Sequence, residues 1–291
     1  MINKKCYLCG NEDFKERSGC VRDNPALRVY ECISCGLVSL SSFDHIVNQF
    51  YENSRIHDGE PLDIQEWLDI AKVDDERRFQ FLKSQLLNCS LLDFGCGVGG
   101  FLLKANDASF KVHGIEPENR LANHFQQNNI TVFHSLEEVP QEHRQDGYDL
   151  ITLFHVLEHL AEPKTVLHEL SEMLTDNGQI IIEVPNSDDA LLTMYNNEPF
   201  SHFIYWSCHL FYFSSKTLER LALQVGLKIN YIRQIQRYPL SNHLYWLARG
   251  KPGGHEHWHF LDDPELNAAY ERQLAAIGKC DTIIGSFSKM A

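Results

Sequence analysis

The run Leu91-Leu92-Asp93-Phe94-Gly95-Cys96-Gly97-Val98-Gly99-Gly100 leaves this chain few ways to fold. Apolar residues end in a cluster of glycines, and a helical pattern opens at Phe101-Leu102-Leu103. A strand that turns abruptly into a helix needs glycine at the turn, and the free N–H groups of the helix start then face whatever lies against the bare backbone. Around this unit, short apolar runs at Leu91 to Phe94, Phe110 to Ile115, Ile130 to Phe133, Leu150 to Phe154 and Gln179 to Val184 alternate with helical patterns, notably Glu118 to Gln127 and Pro163 to Leu174. Such alternation predicts an α/β fold, a doubly wound Rossmann-like sheet with helices on both faces. Leu227 to Ile235 and His243 to Leu247 are further strand candidates.

Gly95, Gly97 and Gly100 satisfy a dinucleotide fingerprint, but two acids argue against a diphosphate. Asp93 stands at the strand end directly before the loop, where it would repel a pyrophosphate and attract a cation. Glu116 closes the next strand, Val112-His113-Gly114-Ile115-Glu116, in the place from which a carboxylate accepts hydrogen bonds from both ribose hydroxyls. An adenosine carrying a sulfonium and an amino-acid tail fits this acidic site.

Four of the nine cysteines form two Cys-x-x-Cys pairs, Cys6 with Cys9 and Cys32 with Cys35, each closed by a glycine and separated by 22 residues. In a chain without disulfide context this spacing predicts a zinc ribbon with a closed tetrathiolate, so the Zn2+ is structural and supplies folding energy that so small a module lacks. Met1 to Gly10 is polar and cysteine-bearing, so no leader is expected, and no apolar run reaches membrane-spanning length. The protein is read as cytoplasmic and not membrane-inserted.

Between ribbon and core, Ile64, Trp67, Leu68 and Ala71, then Phe79, Leu82 and Leu86, are spaced like the buried faces of two helices, with Pro61 before the first and Asn88 after the second. The expected organisation is a ribbon over 1–42, a helical cover over 43–88, a nucleotide-binding domain over 89–250, and a loop and helix over 251–291.

At this point the chain resembles class I S-adenosylmethionine-dependent methyltransferases. The likeness runs through Leu92-Asp93-Phe94-Gly95-Cys96-Gly97-Val98-Gly99, Gly114-Ile115-Glu116-Pro117, Tyr148 to Ile151, Phe154-His155-Val156-Leu157-Glu158-His159 and Gly178 to Pro185. It implies that Gly95 and Gly97, with Cys96 between them, pack against the methionine part, and that Asp93 lies near its ammonium. Glu116, followed by Pro117, would bind the ribose; Ser135 and Leu136 would flank the adenine; Phe154 and His155 would line the floor near the methyl group. His155-Val-Leu-Glu158-His159 also fits an inverted zinc-peptidase pattern, but it follows a strand directly, at the place of the cofactor floor.

Acceptors in open α/β sheets bind beyond the strand ends, which points to Ser201 to Ser214, dense in aromatics and imidazoles. Within it His209 is the candidate general base, or else a residue that fixes the loop by hydrogen bonding. Ribbon, core and this segment together are similar to bacterial methyltransferases of deoxysugar and surface-polysaccharide pathways, including sugar-nucleotide C-methyltransferases. Those carry Glu-His where this chain has Cys208-His209, so only the histidine transfers. The resemblance implies a small polar acceptor, a sugar or sugar nucleotide, methylated on oxygen or carbon.

Two other functions remain to be weighed. A ribosomal RNA methyltransferase would use the ribbon to grip RNA, but a net charge of −14 disfavours nucleic acid as a partner. A non-catalytic assembly protein would bind the cofactor without turnover. In the tail, Gly253-Gly254-His255-Glu256-His257-Trp258-His259 offers three alternating histidines, suited to a mobile loop, a metal site, or a lid that brings His257 or Trp258 over the acceptor.

Overall fold

The computed structural model describes residues 5–47, 50–52 and 63–290. Pro61 lies outside the described residues.

The central sheet has seven strands. In chain order they are β4 (Ser90–Phe94), β5 (Lys111–Ile115), β6 (Thr131–Phe133), β7 (Tyr148–Phe154), β8 (Leu174–Pro185), β10 (Leu227–Ile235) and β11 (Thr282–Lys289). Their spatial order is β10-β11-β8-β7-β4-β5-β6. The five strands from β8 to β6 pair in parallel, as the alternating pattern predicts. From β4 the chain builds outward through β5 and β6, then crosses back to lay β7 on the other side of β4. That reversal opens a crevice at the carboxyl ends of β4 and β7, where open α/β sheets hold their ligands.

Two expectations about the last third are corrected. His243 to Leu247 is not a strand but the middle of helix α9 (Leu240–Arg249), which buries Ser241, Asn242, Tyr245 and Trp246 along one face. The remaining strand is β11, from the tail expected to hold only a loop and a helix. It inserts antiparallel between β8 and β10, with Ile284 opposite Glu183 on one side and Arg233 on the other. The sheet is therefore completed only by residues past 250. Helix α11 (Pro264–Ala276) does form, capped by Asp263.

The cover is one helix rather than two. α1 (Ile64–Leu86) runs unbroken for 23 residues, started by the Asp63 side chain accepting from the Glu66 N–H. Its polar middle, Asp74-Asp75-Glu76-Arg77-Arg78, breaks the apolar periodicity without breaking the backbone, because Asp74, Asp75, Arg77 and Arg78 find partners inside the protein while Glu76 pairs with Lys104 at the surface. Among the described residues no helix is long and apolar enough to cross a membrane.

The N-terminal module is a small antiparallel sheet of β1 (Phe14–Glu16), β2 (Val29–Cys32) and β3 (Val38–Leu40). A fourth strand, β9 (Phe211–Tyr212), joins it from the main domain, pairing Val38 with Tyr212 and Ser39 with Phe211. Leu8, Val29, Val38, Phe211 and Phe213 share one apolar cluster with the strands of the large sheet. The ribbon is thus packed as part of the core. Helix α8 (Ser215–Gln224) follows β9, its Ser214 cap and Thr217 forming a reciprocal capping box.

Candidate functional site

A cavity of about 340 Å³ occupies the crevice, lined by Phe94, Gly95, Gly97, Ile115, Glu116, Pro117, Glu118 and His155 from the sheet ends. That volume lies in the range of small-ligand sites. Gly95 and Gly97 both have positive φ, +77° and +52°, which only glycine adopts freely. A Cβ on Gly95 would lie 2.4 Å from Val156, whereas one on Gly97 would meet nothing within 4 Å. The backbone at Gly97 therefore leaves open room for a ligand. Glu116 stands beside it, Oε2 accepting from the Gly97 N–H at 2.8 Å and Oε1 from the Glu118 N–H at 3.0 Å. Burial raises its pKa against those two hydrogen bonds.

Other expected residues lie apart from this wall. Asp93 is buried, accepting from the Thr152 hydroxyl at 2.6 Å within the sheet, and does not line the cavity. Burial pushes its carboxyl up to about 7, outweighing the Thr152 hydrogen bond. Cys96 packs against Gly114, where a Cβ would sit 2.7 Å from its sulfur. Phe154 is buried against Phe101 and the Arg78 guanidinium. Leu136 belongs to the core, and neither it nor Ser135 is on the cavity wall.

Sequence reasoning missed much of the wall: Tyr51, Trp67, Val156, His159, Leu160 and Trp206. Trp67 was recognised only as part of a helical apolar face, since which end of the sheet α1 covers is a tertiary fact.

His155 also lines a second cavity of about 240 Å³. Its φ is +56°, an uncommon conformation for a residue other than glycine. The ring is held from both sides: Nδ1 lies 3.2 Å from Glu158 Oε1, and Nε2 accepts from Arg237 Nη1 at 3.0 Å. Nε2 also lies 3.4 Å from Glu183 Oε1, so a carboxylate stands beside each ring nitrogen. Behind it, fully buried Glu183 accepts from Arg77 at 2.9 and 2.8 Å and from Arg78 at 3.1 and 2.8 Å. Burial alone would raise Glu183, yet His155, Arg78 and Arg77 hold it well below the usual carboxylate range. Arg237 pairs in turn with Asp74 of α1. Arg77, Arg78 and Arg237 are thus all taken up in internal ion pairs.

The second cavity mixes polar groups, Asn186, Asn242, His243, Arg237 and His255, with Phe200, Phe203 and Trp246. His209 is on its wall as well, and burial together with the neighbouring His159 lowers its pKa to about 3. From the tail it is His255 that reaches this cavity. His257 stacks on Tyr245, and Trp258 meets the same ring edge-on.

In the ribbon the four cysteine sulfurs lie within 4.8 Å of one another, with Cys6 to Cys35 at 3.5 Å and Cys9 to Cys32 at 3.4 Å. The Gly10 and Gly36 N–H groups donate to the Cys6 and Cys32 carbonyls, closing two equivalent knuckles.

The methyltransferase-domain family matches residues 64–232, more than half of the chain. A ubiquinone biosynthesis O-methyltransferase from Hydrogenovibrio crunogenus is 22% identical over 245 residues, covering 73% of this chain and 92% of that protein. Among solved structures, magnesium protoporphyrin IX methyltransferase from Synechocystis with bound SAH superposes with a TM-score of 0.52 at 14% identity, covering 85% of this chain and all of that one. A SAM-dependent methyltransferase from Archaeoglobus fulgidus gives 0.51 at 18% identity, covering 77% and 99%. A parallel sheet with one late antiparallel strand, a ligand cavity at its reversal point and this family match together make the chain a member of the class I S-adenosylmethionine-dependent methyltransferases.

Proposed function

We propose that the protein methylates a small hydroxyl-bearing acceptor held in the second cavity, beside S-adenosylmethionine held in the first. The observation that carries this reading is that His155 lines both cavities, so the two ligands would meet across one side chain. Glu116 would hold the ribose, and the open backbone at Gly97 the amino-acid tail; Asp93 would act from beneath the loop as a buried charge, while Ser135, Leu136 and Phe154 would act by supporting the walls. When bound, the cofactor supplies a methyl group on a sulfonium that departs as a neutral thioether.

The protein's own contribution is mainly positional. His155 has both ring nitrogens engaged, so it shapes the passage rather than taking a proton. His209, on the wall of the second cavity, donates a ring N–H to the acceptor's oxygen and aims it, and the hydroxyl proton leaves to solvent as the methyl arrives.

A sugar or sugar nucleotide suits a lining in which amide, imidazole and guanidinium groups alternate with aromatic faces. A phenolic acceptor is the second reading, favoured by the similarity to a ubiquinone biosynthesis O-methyltransferase. Transfer of labelled methyl to a panel of sugar nucleotides and catechols separates them: labelled sugar product supports the first, and label on catechols alone supports the second.

We also assign Zn2+ to the four cysteines. With Zn–S near 2.3 Å, tetrahedral geometry sets sulfurs about 3.8 Å apart, close to the spacing found. All four positions being thiolates, this zinc would hold the ribbon and take no part in chemistry.

A further inference from the structure

We propose a second divalent-metal site, of zinc-like preference, in the wall between the two cavities, with an imidazole nitrogen of His159, the Cys208 thiolate and an imidazole nitrogen of His209 as its three protein ligands.

One ligand atom from each of His159, Cys208 and His209 lies within 4.8 Å of the others. The two imidazoles meet edge to face with centroids 4.7 Å apart. His159 is on the wall of the first cavity and His209 on that of the second. The local fold brings them together by design of the backbone: the turn from Leu157 to His159 leaves β7, and the Leu210 N–H donates to the Glu158 carbonyl at 2.8 Å, lashing the Cys208-His209 turn to it.

A second, independent observation comes from hydrogen bonding. His159 Nδ1, His209 Nδ1 and Glu158 Oε2 are all buried without a partner. An unpartnered buried polar atom is costly, and native folds hold few of them. Three of them fall on neighbouring residues around a buried thiol, which is the arrangement a bound cation would satisfy. Two neutral imidazoles and one thiolate are a three-ligand set that zinc accepts, with its fourth position left to water, and that magnesium or calcium, which take oxygen ligands, do not. The Cys208 thiolate and the nearby Glu158 carboxylate also neutralise a dication in a buried setting. Binding forms the sulfur–metal bond as the thiol proton leaves to solvent. His155, by contrast, is occupied by Glu158 and Arg237, so the peptidase-like His-x-x-Glu-His pair is not what assembles here.

The test is metal stoichiometry of the full chain from zinc-supplemented cells, by plasma mass spectrometry, with cadmium-113 NMR on the exchanged protein. Two zinc ions per chain are expected, falling to one in Cys208→Ser and in His209→Gln, with the tetrathiolate cadmium signal intact in both variants. The wild type should show a second cadmium signal, upfield of the first, as mixed nitrogen and sulfur ligation requires. One zinc per wild-type chain, or two that persist in Cys208→Ser, overturns the proposal. Because the ribbon signal is separate, loss of that signal alone would count against the ribbon zinc and not against this site.

Discussion

His155 Nε2 accepts a hydrogen bond from Arg237 Nη1 at 3.0 Å, and this contact ties the end of β7 to the loop after β10 exactly where the two cavities adjoin. Arg237 in turn pairs with Asp74 of α1. One guanidinium therefore joins the cover helix to His155. Arg237→Ala should lower stability by about 3–5 kcal/mol, the usual consequence of removing one partner of a buried pair. Activity should fall about tenfold or more while affinity for S-adenosylhomocysteine changes much less, because Arg237 does not line the first cavity. Denaturation midpoints, calorimetry and steady-state kinetics on the same preparation check the split.

Asp93 predicts a pH effect of unusual sign. Its folded pKa is raised to about 7, above its unfolded value, so folding the ionised form is unfavourable at neutral and higher pH. The penalty should shrink as pH falls from about 7 towards 4. Asp93→Asn, which can still accept from Thr152, should stabilise the ligand-free protein at pH 8 by roughly 1–4 kcal/mol and lose that advantage near pH 4. Melting temperatures at both pH values suffice; equal shifts at both would refute the account of this residue.

Glu183 predicts the opposite dependence. Held well below the usual range, it adds stability at neutral pH that is lost as pH falls below about 4 towards its folded pKa. Glu183→Gln should be less stable than wild type at pH 7 and should lose less on acidification. Urea unfolding at a series of pH values shows whether the two curves converge.

How much of this was legible follows from which interactions are local. The strand and glycine loop from Leu91 to Gly100 announce themselves, since positive φ and a strand-to-helix turn are local demands. Thr282 to Lys289 does not. It is buried on nearly every position, so it lacks the alternation that marks a strand, and Gly285 sits in its middle. His243 to Leu247 reads as a strand because aromatic and bulky residues favour one; its burial along one helical face is decided by the packing of α9. Arg77, Arg78, Asp74 and Glu183 look like surface charge in sequence. Only their meeting across more than a hundred positions turns them into the support of the passage.

The ribbon gives a fourth prediction. β3 pairs with β9, and both share one apolar cluster with the large sheet, so the module should be cooperative with it. Cys9→Ser, which would break the proposed zinc tetrathiolate, should lower the melting temperature of the whole protein and open the ribbon first to proteolysis. A variant that melts like wild type would show that the metal contributes nothing to this docking.

The central claim is that the cavity edged by Glu116 and Gly97 is built for a sulfur nucleoside, and calorimetric titration with S-adenosylhomocysteine addresses it most directly. Wild type should bind one equivalent, and Glu116→Ala should bind at least about tenfold more weakly, since hydrogen bonds to a charged carboxylate contribute about 1.5–3 kcal/mol each. Failure of the folded wild type to bind, or equal binding by wild type and Glu116→Ala, would contradict it.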